Sequence, residues 1–142
     1  LNLRCNEISF PGAKSLARYL VSQNCFLKSL NMEGNRIQDE GAGAIGSALE
    51  FTPCLEELDL RSNKISDSGL SSIAYGLAVN STLHKVCLWG NDFGEKACSN
   101  FLDLAEARFR HVGWGLDFVP HVEEWCQDGE QREIHIARAW KK

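Results

Sequence analysis

Three glycines in the first half of the chain match a motif that binds dinucleotides. Gly41, Gly43 and Gly46 fit the pattern G-x-G-x-x-G, and Asp59 follows 18 residues after Gly41. In such sites the glycines let the backbone approach a pyrophosphate at a helix N-terminus, and the acidic residue binds a ribose hydroxyl. That geometry requires the glycines to follow a strand directly, whereas here a turn-like segment separates Gly41 from the preceding strand-like segment. We therefore interpret the glycines as helix residues and expect no nucleotide cofactor.

The cysteines and histidines lack the spacing of a metal site or a nucleophilic catalytic site. His121 and Cys126 are five residues apart, but no second pair completes a zinc site. No cysteine or serine has an evident base and orienting group beside it. We interpret the cysteines as reduced and mostly buried, with three disulfides in a secreted chain as the alternative. They are Cys5, Cys25, Cys54, Cys87, Cys98 and Cys126. We expect no metal, no cofactor and no enzymatic activity.

Composition excludes further classes of function. The 142 residues are 44% hydrophobic and carry a net charge of -4 with both signs dispersed, which suits one packed domain. No basic region would attract nucleic acid or a membrane surface, and no segment reads as a membrane span or secretory signal. We expect an intracellular, cytoplasmic protein, in which the glycosylation triplet Asn80-Ser81-Thr82 would be inert.

A repeat of about 28 residues organises the chain. Three blocks follow the pattern L-x-x-L-x-L-x-x-N and end at Asn35, Asn63 and Asn91, and a partial block ends at Asn6. Leucines two apart face one side of a short strand, and the asparagine amide can hold the turn that follows. We predict that the four asparagines are structural. The sequence begins inside a repeat, and we therefore expect further repeats before Leu1.

Each strand block precedes an amphipathic helix. Apolar residues recur at the spacing i, i+3, i+4, i+7 in three successive units, which indicates one buried helical face. These residues are Ala13, Leu16, Ala17 and Leu20; Ala42, Ile45, Gly46 and Leu49; and Leu70, Ile73, Ala74 and Leu77. A last helix, with Ala97, Phe101, Leu104 and Ala105 inward, runs to about Arg108. Stacked strand–helix units predict an α/β solenoid with a parallel inner sheet and outer helices.

The leucine and asparagine blocks together with the helices resemble leucine-rich repeats of the ribonuclease-inhibitor type. The resemblance covers residues 1–108 and implies a horseshoe that binds a protein partner inside the cell. Residues 109–142 break the pattern, and we expect them to form a C-terminal cap. The tail contains Trp114, Trp125 and Trp140, a turn at Asp128-Gly129, and a strand-like alternation over residues 133–139. Covering the end of the core is one explanation for the tryptophans, and a dedicated binding site is the alternative.

The repeat register predicts which strand residues point away from the helices, on the concave face. They form three ladders: Ser29, Glu57 and Lys85; Asn2, Asn31, Asp59 and Cys87; and Arg4, Glu33, Arg61 and Trp89. Opposite charges on neighbouring rungs could satisfy one another and leave a solvated surface. Trp89 is an aromatic residue where the other repeats carry charge, and aromatic and arginine residues are common interface anchors. Either Trp89 is exposed for binding or the tail covers it.

These observations predict a non-enzymatic scaffold that binds a protein through the concave face. The candidate partner-binding residues are Arg4, Glu33, Glu57, Asp59, Arg61, Lys85 and Trp89. The alternative is a sensor or regulatory module of a larger protein, such as an intracellular immune receptor. The segment Leu88-Trp89-Gly90-Asn91 and residues after it are also similar to the end of a nucleolar member of the repeat family. That similarity implies a nuclear or nucleolar location and a link to ribosome assembly.

Overall fold

The computed structural model describes residues 1–108 and three short strands of the tail, residues 115–116, 118–123 and 133–138. Helices and short strands alternate through the repeats. The helices are α1 Phe10–Leu20, α2 Gln38–Leu49, α3 Asp67–Val79 and α4 Glu95–Arg108; the strands are β1 Ser29–Asn31, β2 Glu57–Asp59, β3 Lys85–Cys87, β4 Gly115–Leu116, β5 Phe118–Glu123 and β6 Glu133–Arg138. Trp114, Cys126, Trp125, Trp140 and the predicted turn at Asp128-Gly129 lie outside the described residues.

One parallel sheet joins β1, β2, β3 and β4 in that order. Leu30 pairs with Leu58, and Leu58 pairs with Val86, so the predicted apolar row occupies adjacent rungs. These three side chains are at most 1% exposed, because the helices cover that face of the sheet. The strand residues on either side of each one are exposed or half-buried. The predicted α/β solenoid is therefore confirmed.

The sheet continues beyond the three complete strand blocks at both ends. Asn2 forms a parallel bridge with Asn31, which adds a rung before β1. After β3, Gly115 pairs with Lys85 and Leu116 pairs with Val86. The break in the repeat pattern after residue 108 gave no sign of a further strand, but Gly115 and Leu116 lie in one. Leu116 comes 30 residues after Val86 rather than 28, and α4, which lies between them, is the longest of the four helices at 14 residues.

The helices pack side by side in chain order, α1 on α2, α2 on α3 and α3 on α4. The residues predicted to face inward are buried in α2 and α3, and Leu16 of α1 and Ala105 of α4 are half-buried. Two glycines allow a close approach of α2 and α3. A Cβ on Gly46 would lie 2.5 Å from the Ser72 carbonyl oxygen, and one on Gly76 would lie 2.1 Å from the Gly46 carbonyl oxygen. No larger residue fits these positions without moving a helix.

The asparagines join neighbouring repeats through their side-chain amides. Asn35 accepts the backbone N–H groups of Asn6 at 3.1 Å and Ile8 at 2.8 Å, and it donates to the carbonyl oxygens of Leu3 and Met32. Asn91 repeats this pattern two units later with Asn63, Ile65, Leu60 and Leu88. The predicted structural role is therefore confirmed for the inner asparagines. Asn6 itself is exposed and donates within its own turn, to Arg4.

Aspartates near the helix N-termini provide a second connection between repeats, which the sequence analysis missed. Asp39 of α2 accepts the Ser66 N–H at 2.6 Å and the hydroxyl groups of Ser66 and Ser68. Asp67, at the start of α3, accepts the Ala97 N–H of α4 at 2.7 Å. Each carboxylate thus satisfies donors at the N-terminus of the following helix, where negative charge is favourable. The 28-residue spacing of the two aspartates was the available signal.

The tail contributes a pair of antiparallel strands. β5 and β6 are paired from Phe118 with Arg138 to Glu123 with Glu133, and both strands contact α4. The alternating polar and apolar residues of the sequence correctly indicated a strand over Glu133–Arg138. The division of the chain at residues 108 and 109 and the capping role of the tail stay predictions.

Candidate protein-binding surface

The residues of the predicted concave face lie in register on the side of the sheet opposite the helices, which we call the open face. Ser29 pairs with Glu57, and Glu57 pairs with Lys85. The ladder of Asn31, Asp59 and Cys87 is formed in the same way. The predicted order of these two ladders is correct. The third ladder continues beyond the strands through backbone bonds from Cys5 to Glu33, from Gly34 to Arg61 and from Ser62 to Trp89.

Arg61 lies at the centre of an ion-pair network on the open face. Its Nη2 is 2.6 Å from Asp59 Oδ2 and 3.0 Å from Glu33 Oε2, and its Nε donates to both oxygens of Asp59. Arg4 Nε lies 3.2 Å from the same Glu33 oxygen. The two arginines and two carboxylates therefore compensate one another across three repeats.

Partial burial makes this network a structural element. The side chains of Glu33 and Asp59 are 17% and 14% exposed, so their charges are largely removed from water. Hydrogen bonds to Asp59 raise the pKa of Arg61; burial opposes this increase, and the charges of Asp59 and Glu33 add to it. Removing one partner would leave a half-buried charge unpaired. Four of the seven predicted binding residues thus belong to a network that is satisfied within the protein.

Asp59 also has a local backbone role that the sequence analysis did not identify. Its Oδ1 accepts the N–H of Arg61, two residues later, at 3.1 Å. Asn31 and Asn2, its equivalents in earlier repeats, accept the N–H groups of Glu33 and Arg4 in the same way. Short polar side chains commonly hold the end of a strand by this contact. The middle ladder therefore mainly stabilises the backbone at the end of each strand, through Asn2, Asn31 and Asp59.

Charged residues at the start of the strands are more exposed. Lys85 Nζ lies 3.6 Å from Glu57 Oε2, and both side chains are more than 40% exposed. Lys28 and Glu56, which the sequence analysis did not include, form an ion pair at 2.5 Å just before β1 and β2. Hydrogen bonding and charge attraction between them raise the pKa of Lys28 and lower that of Glu56. Their positions 28 residues apart, one before each strand, could have indicated this pair.

Trp89 is half-buried and packs against the hydrophobic core. It follows β3, on the ladder that carries Arg4, Glu33 and Arg61 in earlier repeats. The sequence allowed two possibilities for Trp89, exposure or cover by the tail. In the structure the side chain is partly exposed. A half-buried aromatic ring offers part of its surface for contact and loses little side-chain entropy on binding, since packing already restricts it.

The glycine motif of the sequence lies inside α2 and not in a strand-to-helix loop. A Cβ on Gly41 would contact Ile37 and Ala13, and one on Gly46 would contact α3, whereas one on Gly43 would meet no atom within 4 Å. Gly41 and Gly46 therefore serve helix packing. Ser71 of α3, which is equivalent to Gly43, is buried at 3% exposure.

The described cysteines are thiols and not disulfides; they are Cys5, Cys25, Cys54, Cys87 and Cys98. Burial raises the pKa of Cys54, and contact with Cys25 adds to the increase; burial likewise raises the pKa of Cys98, with a contribution from Asp67. A thiol with a raised pKa is a poor nucleophile at neutral pH. Within residues 1–108 and the three tail strands, no group of three or more His, Cys, Asp and Glu residues is placed to hold a metal ion.

The glycosylation triplet is inaccessible in the folded chain. Asn80 is 2% exposed, its Nδ2 donates to the Leu49 carbonyl oxygen at 2.7 Å, and its Oδ1 accepts the N–H groups of Thr82 and Leu83. The amide is therefore fully used in joining α3 to the loop that precedes β3. Its role is structural whatever compartment the protein occupies.

A shallow groove of about 260 Å³ lies between α3 and α4, on the helical side of the molecule. Its walls are mostly small or apolar, including Ala74, Ala78 and Leu104. Tyr75 and Asp103 are its titratable residues. In the part of the chain that the structure describes, no helix combines the length and apolar character that crossing a membrane requires.

Comparison with known proteins agrees with this architecture. The family model of the leucine-rich repeat matches residues 1–17, 23–46 and 53–74. A solved structure described as leiomodin-1 actin-binding site 2 is similar, with a TM-score of 0.69 and 21% identity over 82% of this chain and 68% of that chain. At this identity the likeness shows the fold alone. No match is found among curated proteins. The matched segments show leucine-rich repeats in about the first half of the chain, and the stacked strands and helices have the fold of a leucine-rich-repeat solenoid.

Proposed function

We propose that this chain is a non-enzymatic scaffold that binds a protein partner through the open face of its sheet. The observation that carries the proposal is the change of character along the third ladder, from the paired charges of Arg4, Glu33 and Arg61 to the half-buried aromatic ring of Trp89. An aromatic side chain beside exposed polar groups is typical of an interface anchor.

The rigidity of the sheet supports the same proposal. The strands carry their side chains on a backbone fixed by parallel pairing and by the asparagine amides. A partner that contacts this face would not have to order a loop, so less of the contact energy is lost to conformational entropy. Among the predicted binding residues, Glu57, Lys85 and Trp89 remain the best candidates for direct contact. Arg4 is a candidate at the rim, because its side chain is 58% exposed.

Affinity purification from cells with quantitative mass spectrometry tests the proposal. We expect Trp89→Ala and Lys85→Glu to lose a protein that the wild-type chain retains. Tyr75→Ala and Lys96→Glu are matched controls on the helices and should retain it. Arg61 is unsuitable for this test, because changing it disturbs the ion-pair network. If all four variants recover the same proteins as the wild type, with unchanged helical circular dichroism, the open face is not the binding surface.

The finer predictions of the sequence remain hypotheses about the partner and the cellular context. The similarity of Leu88-Trp89-Gly90-Asn91 to leucine-rich repeat-containing protein 34 would favour ribosome assembly and a nucleolar location. A role as a regulatory module would instead favour an enzymatic or nucleotide-binding domain in the same polypeptide. We propose an intracellular location in either case, which is nuclear or nucleolar if the first hypothesis holds and otherwise cytoplasmic. Imaging of a tagged full-length protein would separate nucleolar from cytoplasmic localisation.

A further inference from the structure

The cations of the open face differ in how closely they are paired. Arg61 lies 2.6 Å from a carboxylate oxygen, Lys28 lies 2.5 Å from one, and Arg4 lies 3.2 Å from one. Lys85 Nζ lies 3.6 Å from Glu57, which is longer than a hydrogen bond. The same Glu57 oxygen also accepts the Ser29 hydroxyl at 3.2 Å. Among the described residues of this face, Lys85 is therefore the cation with the longest ion pair.

The rung that follows Lys85 adds no competing charge. Lys85 pairs in register with Gly115 of β4, and glycine has no side chain. An acidic group from outside could therefore approach the Lys85 ammonium from the β4 side, away from Glu57. The Lys85 side chain is 43% exposed, so its charge is accessible without a change of fold. At physiological ionic strength charges interact over about 8 Å, so an approaching acidic group responds to the charges near Lys85 more than to the overall charge of the chain.

An apolar contact lies at a fixed distance from this cation. Trp89 comes four residues after Lys85, in the turn that follows β3. Because the chain is extended only over part of this segment, the two backbone positions are at most about 13 Å apart, the length of four extended residues. Its ring already packs on the core and is held in place. Cys87 lies between the two and carries only a small side chain. Lys85 and Trp89 therefore form a two-point surface with a cation at one end and an aromatic ring at the other.

We propose that the partner presents an extended segment in which a carboxylate and an apolar side chain lie within about 13 Å of each other, bound by Lys85 and Trp89 respectively. This inference rests on the proposed function and specifies its partner. The Lys85 ammonium donates a charge-assisted hydrogen bond to the carboxylate, and the apolar side chain covers the exposed part of the indole. Asp or Glu placed at most four residues from Leu, Ile or Phe would satisfy both contacts in an extended peptide.

Selection from a random library of displayed 12-residue peptides tests this inference on the full chain at about 0.15 M salt. We expect enriched peptides to combine an acidic residue with an apolar residue at most four positions away. Synthetic versions should bind Lys85→Glu at least about tenfold more weakly, which is about 1.4 kcal/mol. They should bind Lys96→Glu and Tyr75→Ala within about twofold of wild type, and higher salt should weaken binding to the wild type.

The possible outcomes separate this inference from the proposed function. Peptides that require Trp89 but show no acidic preference, or that bind Lys85→Glu normally, would overturn the proposed partner chemistry and leave the scaffold function standing. Failure to enrich any peptide dependent on Lys85 or Trp89 would also overturn the partner chemistry. The scaffold function fails by its own measurement, when the purification variants recover unchanged proteins. Circular dichroism and thermal unfolding of each variant confirm that its fold is intact.

Discussion

Alanine substitutions at two glycines of the same helix should change stability in opposite directions. Gly46 and Gly43 both lie in α2, but a Cβ on Gly46 would lie 2.5 Å from a backbone oxygen of α3, while one on Gly43 would meet nothing within 4 Å. Alanine is favoured over glycine inside a helix by about 1 kcal/mol. At Gly43 this gain has no steric opposition. At Gly46 the added methyl group must push the two helices apart.

The expected magnitudes follow from these two environments. Gly43→Ala should raise the free energy of unfolding by about 0.8 kcal/mol. Overpacking against backbone costs about 3 kcal/mol at the upper end of its usual range, so Gly46→Ala should lower the free energy of unfolding by about 2 kcal/mol after the helix gain is subtracted. For a domain of this size each kcal/mol shifts Tm by about 3 °C, which separates the two variants by roughly 8 °C.

Urea denaturation followed by circular dichroism, together with thermal unfolding, measures both values. The urea m-value should be equal in the two variants, because neither change alters the surface exposed on unfolding. Gly76→Ala introduces the same clash from the α3 side and should not add fully to Gly46→Ala. A Gly46→Ala variant as stable as Gly43→Ala would refute the close packing of α2 on α3.

Three further predictions concern the connections between repeats. Asn63→Ala should cost about 3 kcal/mol in unfolding free energy, because it removes the three hydrogen bonds that this buried amide donates to carbonyl oxygens. The exposed Asn6→Ala should cost less than about 0.5 kcal/mol, and urea denaturation compares the two. Arg61→Met should lower the free energy of unfolding by about 2 kcal/mol, since it leaves two half-buried carboxylates facing each other, whereas Arg4→Met should have little effect because the Arg4 side chain is largely exposed. Equal losses of unfolding free energy in the two variants would contradict the network. Burial raises the pKa of Asp39, but hydrogen bonds from Ser66, Ser68 and the backbone N–H of Gly69 outweigh this effect and hold the pKa below its usual value. The stability of the wild type relative to Asp39→Asn should therefore be constant above about pH 5 and decline as pH falls below about 4, as a urea series at different pH values would show.

The regular part of the fold was predictable because one physical pattern recurs. Leucines two apart must share a face of a strand, and a fixed period must bring equivalent strands together, so Leu30, Leu58 and Val86 could be assigned to adjacent rungs. The buried side of most helices could be predicted by the same reasoning. The burial of Ser71 could not, because the equivalent position in another repeat is occupied by Lys14, and a polar residue there gives no sign of burial.

The functional assignment of the open face was less predictable, because it depends on side-chain contacts and not on register. The alternation of charge over Arg4, Glu33 and Arg61 indicated mutual pairing, but it could not show that Arg61 is held by Asp59 of its own repeat as well. β4 was missed because the insertion of two residues breaks the period and Gly115 is a poor strand residue. Because of the same break in the period, the pairing of Gly115 with Lys85 could not be predicted, and the proposed partner chemistry depends on that pairing.

The helices lengthen along the chain, from 11 residues in α1 to 14 in α4, while the pairing of the strands keeps the same register. Insertions and deletions are therefore absorbed on the outer side of the molecule, where a longer helix or loop extends into solvent. The inner strands tolerate no such change, since one extra residue would turn every following side chain to the wrong side. A descendant of this protein could alter its outer contour by gaining or losing residues, but it could acquire a new binding specificity on the sheet only through substitutions.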